Sequence, residues 1–308
     1  MSRSGAESST ELRTQSPQRL PLDLDARGQL LAEMPVAERT VLLAGISTAV
    51  LEGGEGPPMI LLHGPGEYAA KWFRVIPDLA KDFRVVAPDL PGHGASKPIF
   101  GEFDAAHILA WLDELIDATC EGPPMLVGQI IGGAIAARYA ADRSERLRGL
   151  VLVDALGVTD FQPAREFGAA LTGFISEPNE ETHEELWQRC AYDVDTLRDR
   201  LGERWDVFKA YNLDRANDTE LHATQQRLME LFGFQGIAER DLNLITVPTT
   251  LIWGRHDLAT SVTIAEAAST RFGWPLHVIE NAADDPPLEQ PGAFLQALRS
   301  AESAAGGG

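Results

Sequence analysis

Residues 125–134 read Met125-Leu126-Val127-Gly128-Gln129-Ile130-Ile131-Gly132-Gly133-Ala134. A short apolar run that ends at glycine has the pattern of a strand buried on both faces. The small residues after it allow a tight turn, and a helical pattern then continues to Ala141. Strand followed directly by helix is the unit of a parallel sheet. Whether that unit repeats decides the fold class.

It repeats in both directions. Upstream, Met59-Ile60-Leu61-Leu62 runs into His63-Gly64, and residues 69–81 have helical spacing with a bend at Pro77. Phe83-Arg84-Val85-Val86-Ala87 reads as a strand. From Asp104 a helix places Ile108, Trp111, Leu112, Leu115 and Ile116 on one face. Two apolar runs on either side of Ala44-Gly45 predict a hairpin, and residues 22–33 a short helix stopped by Pro35. Downstream come the strands Leu150–Val153, Thr250–Trp253 and Leu276–Ile279, with helices near 261–271 and 290–301.

The rhythm breaks between Leu156 and Asn243. Stretches such as 184–190 and 224–232 have helical spacing, yet no central strand is legible there, and the segment is too long for a loop. The expected organisation is a tail without stable structure over 1–22, an α/β core over 23–156 and 244–301, and a helical cap over 157–243. The sheet is expected to be mostly parallel, with helices on both faces.

The formal net charge of −20 argues against nucleic acid or an anionic membrane as partner. No apolar run is long enough to span a bilayer. The N-terminus lacks the apolar stretch of a secretory signal. Two cysteines, Cys120 and Cys190, cannot build a disulfide framework, so a reduced, cytoplasmic setting is expected. No metal-ligand spacing, P-loop or dinucleotide fingerprint is present, and no cofactor is expected. The expected partner is a small molecule. Nothing in the sequence fixes an oligomeric state.

Distinctive residues cluster after the strands, where open parallel sheets bind ligands. They are His63-Gly-Pro-Gly66, Asp89-Leu-Pro-Gly-His-Gly94, Gly128-Gln-Ile-Ile-Gly132, Trp253-Gly-Arg-His-Asp257 and Asn281 through Pro291. In this order and spacing, over about residues 39–300, the series resembles the capped α/β-hydrolase superfamily. The resemblance implies a nucleophile elbow of the form G-x-S-x-G at 128–132, with Ile130 in the place of the nucleophile. It implies an acid at Asp257, and it places Asp284 where a base histidine is expected. Asp154 is a second possible acid. The oxyanion hole would use the backbone N–H of Ile131 and one from the loop after Gly64. Pro65 has no N–H, so Gly66 is the candidate there. Pro65, Glu67 and Gln129 complete the expected pocket.

Ile130 can neither attack a carbonyl nor be deprotonated, so a Ser-His-Asp hydrolase is not expected. Two readings stay open. In the first, Asp257 and Asp284 form a carboxyl pair under an apolar floor and do acid–base chemistry on a carbonyl compound, as a lyase, isomerase, cyclase or water-mediated hydrolase. In the second, the chain is an inactive pseudohydrolase that binds a ligand or partner.

Overall fold

The computed structural model describes residues 24–306. The expected tail over 1–22 lies outside the described residues. Eight strands form one sheet: β1 (Ala37–Leu43), β2 (Ile46–Gly53), β3 (Pro58–Leu62), β4 (Arg84–Pro88), β5 (Met125–Gln129), β6 (Gly149–Val153), β7 (Thr249–Gly254) and β8 (Leu276–Ile279). Their order across the sheet is β1-β2-β4-β3-β5-β6-β7-β8. β1 and β2 are antiparallel, as are β2 and β4, and every later pairing is parallel. This is the mostly parallel, helix-flanked sheet that the strand–helix alternation implies, and the α/β-hydrolase fold that the resemblance implies.

Local chemistry accounts for the elements. The β1–β2 hairpin turns on two residues, Ala44 and Gly45, both at positive φ, and this matches the twist of the flanking strands. The central strands β5 and β6 are buried along their whole length, so they read as unbroken apolar runs. Two apolar layers sandwich the sheet. One packs Trp111, Ile135 and Tyr139 against it, the other Trp72, Phe73 and Phe294.

Some elements differ from expectation. The first helix covers only Ala26–Leu31, because Asp25 caps Gly28 and starts it there. Residues 69–81 split into a 3₁₀ segment, Ala69–Arg74, and a short helix, Ile76–Leu79, with Pro77 in its first turn. The last helix runs on to Gly306.

Between β6 and β7 the chain is helical throughout. The main helices are Arg165–Ser176, Glu180–Cys190, Val194–Leu201, Glu203–Ala216 and Thr219–Leu228. Leu228 and Phe232 join the apolar layer that contains Ile130. Trp187 packs edge to face on Trp205 and on Phe208, and the three continue the opposite layer. Arg27, on the first helix, reaches across with one nitrogen to Tyr211 and another to the buried Asp89 at 2.8 Å. No helix of the described residues is long and apolar enough to cross a membrane.

Candidate active site

The site is built around the turn from β5 into the helix Ile131–Arg143. Ile130 sits in that turn at φ 47° and ψ −109°, a region that a β-branched residue enters only under constraint. The constraint is visible. Ile130 N–H donates to Val153, and its carbonyl accepts from Leu156 at 3.0 Å. A methyl group on Gly128 would stand 2.3 Å from the Gly132 carbonyl oxygen, and one on Gly132 would stand 2.5 Å from that of Leu62. The two glycines let the turn close against β3, and the closed turn holds Ile130 in place. Its side chain is 8% exposed and packs into the apolar layer.

Ile131 is the first residue of the helix, so its N–H has no acceptor within the helix. In the loop after β3, Gly66 adopts φ 72° beside open space. His63 organises the same loop as a neutral ring. Its Nε2 accepts from Leu90 N–H at 2.9 Å, and Nδ1 faces the Gly64 carbonyl at 2.7 Å. Burial first, then the neighbouring His93, holds its pKa well below the usual value.

Two groups of titratable side chains flank the elbow. The first centres on Lys71, whose side chain is 3% exposed. Its ammonium pairs with Asp285 at 3.0 Å and with Glu67, and it lies 3.4 Å from Gln129 Oε1. Burial pushes this ammonium's pKa down, but Asp285 and Glu67 outweigh burial and hold it above the usual lysine value. Gln129 Nε2 donates to the Asp284 carbonyl at 2.9 Å and to the Asp285 carboxylate at 3.3 Å. Glu67 Oε2 accepts from Gly64 N–H at 2.7 Å.

The second group is Asp154, Asp257 and Asp284, which form no salt bridge among the described residues. Asp257 Oδ1 accepts from Ala259 N–H and Thr260 N–H at 2.6 and 2.8 Å, and Oδ2 accepts from the Thr260 hydroxyl. Burial nevertheless raises its pKa to about 6. Asp154, at φ 43°, accepts from Gly254 N–H at 2.8 Å and feels the charge of Asp257. Burial and the Asp257 charge push Asp154 well above the ordinary carboxyl range, so Asp154 is the partner that carries the proton. Asp284 is likewise held well above that range, by burial and then by Asp257 and Asp285.

Asp257 acts through its charge on both other acids, raising Asp154 and Asp284 alike, and Asp154 adjoins it at the ends of neighbouring strands. The reason is topological: β6 and β7 are adjacent in the sheet, so the residues that end them meet.

The helical segment closes over Asp284. The Cys190 carbonyl accepts from Asp284 N–H at 3.3 Å, and burial, then the nearby Asp284, pushes the Cys190 thiol up. Glu289 bridges both sides, accepting from Tyr192 N–H at 2.6 Å and from Ala283 N–H at 2.7 Å. His256 stacks on Tyr192, 4.5 Å between ring centroids, and takes no part in the carboxyl group beside it.

Sequence reading placed Pro65, Gly66, Glu67, Gln129, Ile130, Ile131, Asp257 and Asp284 around one turn; in the structure Glu67 and Gln129 share Lys71, Gln129 bonds to Asp284, and Asp284 feels the charge of Asp257. It missed Lys71, Asp285 and Cys190. A signal for Lys71 existed in its spacing of four from Glu67. Asp285 and Cys190 carried none.

Comparison with known proteins agrees with this architecture. Residues 57–285 match the profile of the alpha/beta hydrolase fold family, and the chain belongs to that family. It is 32% identical over 246 residues to a 2-hydroxymuconate semialdehyde hydrolase of Pseudomonas sp. strain CF600, covering 75% of this chain and 83% of the relative. A 2-hydroxy-6-oxo-2,4-heptadienoate hydrolase of Pseudomonas putida F1 is 29% identical, over 84% of this chain and 93% of the relative. Among solved structures, a meta-cleavage product hydrolase of Pseudomonas fluorescens IP01 superposes with a TM-score of 0.73 at 26% identity, covering 88% of this chain and 99% of the other.

Proposed function

We propose that this chain is a hydrolase-family enzyme that acts on a carbonyl-containing small molecule under a helical cap, with water in place of a serine nucleophile. The observation that carries this reading is the pairing at the elbow. Ile130 holds the strained φ of the nucleophile position, and Asp284, a carboxyl held well above the ordinary range, stands where the base histidine is expected. Supporting it are the relatives named above, which act on hydroxy-oxo-dienoate or muconate semialdehyde compounds.

Each step follows from the protonation states. Asp284, its pKa held well above the ordinary carboxyl range, serves in its protonated form as general acid toward the leaving fragment. Once ionised, it takes a proton from a water whose oxygen adds to the carbonyl carbon. The elements of water are thus split across the broken bond, and Asp284 ends as it began. The oxygen that gathers negative charge is met by Ile131 N–H and Gly66 N–H. Ile130 supplies an apolar floor that favours the neutral acid. Asp257 tunes Asp284 through its charge.

The test is turnover of 2-hydroxymuconate semialdehyde and 2-hydroxy-6-oxo-2,4-heptadienoate, followed by mass spectrometry. Wild type is expected to form product with no covalent adduct in its intact mass. Asp284→Asn is expected to be slower by at least about 100-fold. Equal rates in the two proteins would end this mechanism.

A second reading, a pseudohydrolase that only binds, is favoured by one observation. Ile130, Asp257 and Asp284 are 8%, 6% and 6% exposed, so the elbow is nearly closed at rest. That reading predicts a ligand-dependent rise in Tm with no product.

A further inference from the structure

Glu67 is the exception among the buried carboxylates around the elbow. Asp285, 2% exposed, already balances the charge of Lys71 at 3.0 Å. Glu67 is a surplus anion on the same ammonium, and its side chain is 22% exposed. Its two oxygens are divided between Lys71 and the Gly64 N–H. A point one bond out from Gly64 lies 2.7 Å from Glu67 Oε2 and 3.2 Å from Ile130 Cδ1, so this carboxylate lies beside the elbow side chain. Next to it, Gly66 is left-handed with open space around it, which leaves the loop room to accommodate a new Glu67 rotamer.

We infer that Gly64 N–H and Lys71 form a receptor for a substrate carboxylate, and that Glu67 occupies it at rest as a built-in stand-in. An ammonium on one carboxylate oxygen and an amide on the other is an arrangement made for one small anion. Exchanging Glu67 for an incoming carboxylate leaves the count of charges on Lys71 unchanged. The released Glu67 needs only a side-chain rotation to reach water. The ligand class is therefore a small oxo-carboxylic acid, with its carboxylate on Lys71 and its carbonyl directed to the elbow amides. This rests on the small-molecule reading above and adds where the acid group docks.

The arrangement predicts that removing a side chain strengthens binding. Titration calorimetry with 2-oxobutanoate, and with its neutral amide as control, is run on wild type, Glu67→Ala and Lys71→Met. Glu67→Ala is expected to bind 2-oxobutanoate at least tenfold more tightly than wild type, with no gain for the amide. Lys71→Met is expected to lose the carboxylate. That variant leaves Asp285 without a counter-ion and need not fold, so Glu67→Ala decides the matter. If Glu67→Ala binds 2-oxobutanoate no more tightly than wild type, or not measurably, the receptor is overturned. An equal gain for the amide overturns it too, because the released space would then be unselective. Binding is read without turnover, so a gain in a protein with no activity would sink the hydrolytic mechanism and leave the receptor standing. Turnover with no gain would do the reverse.

Discussion

The two groups of acids beside Ile130 meet the cost of leaving water in opposite ways. On one side Lys71 is driven into the protein beside Glu67 and Asp285 and pairs with both. On the other side Asp154, Asp257 and Asp284 form no salt bridge among the described residues, and burial raises the pKa of all three. A carboxyl removed from water needs either a partner charge or a proton. Neighbouring residues differ in this: Asp285 pairs with Lys71, whereas Asp284 is held well above the ordinary carboxyl range. The lysine side is suited to holding an anion, and the proton-rich side to donating hydrogen.

The largest expected effect strikes the lysine side. Lys71→Met leaves two carboxylates facing each other without their cation and should destabilise the fold by about 3–5 kcal/mol in urea titration. A loss below about 1 kcal/mol would mean that these acids also hold protons, and the contrast would vanish. The second effect is on pH. Asp257 titrates near 6 in the fold against a usual 3.8, and Glu289 near 8 against 4.5. Carboxyls raised in this way favour the fold fully below their unfolded values, and that contribution is lost as pH rises through 6 and 8. Each contributes roughly 1.4 kcal/mol per pH step within its window as an upper bound. The urea midpoint should therefore fall from pH 5 to 8, with a shallower fall in Glu289→Gln. A midpoint that rises with pH in wild type and variant alike would contradict the protonated state.

A sharper comparison sets neighbours against each other. Asp285→Asn breaks an ion pair and should cost about 2 kcal/mol, whereas Asp284→Asn replaces a neutral acid by a neutral amide and should stay within about 0.5 kcal/mol. Similar losses in the two, measured by thermal melting, would erase the distinction. The smallest expected effect is none. Ile130→Ser alone should not react with a fluorophosphonate probe, because Asp284 cannot accept the serine proton while it holds its own. Labelling is expected only when Asp284→His is added.

How far the sequence reveals this depends on how local each feature is. The strand–helix alternation, the elbow glycines and the hairpin at Ala44-Gly45 are set by neighbouring residues, and all of them are legible. Asp257 and Asp284 are legible as positions because they follow strands. Their partners are not. Asp154 meets Asp257 because β6 and β7 lie side by side, and Lys71 meets Asp285 across the sheet from the far end of the chain. Lys71 itself sits in a stretch, Ala69–Arg74, whose apolar spacing reads as simple packing. Charge pairing between distant elements leaves no period in a sequence.

The main-chain bond from Asp284 to Cys190, and the Glu289 bridge to Tyr192, tie the helical segment to the loop that carries the acid. That segment cannot lift from the elbow without disturbing Asp284. Entry and exit of any guest are therefore gated by the same contacts that position the proton donor. The consequence is kinetic: association should be slow and nearly independent of guest concentration at saturation, residence long, and both rates should quicken together when Glu289 loses its hold.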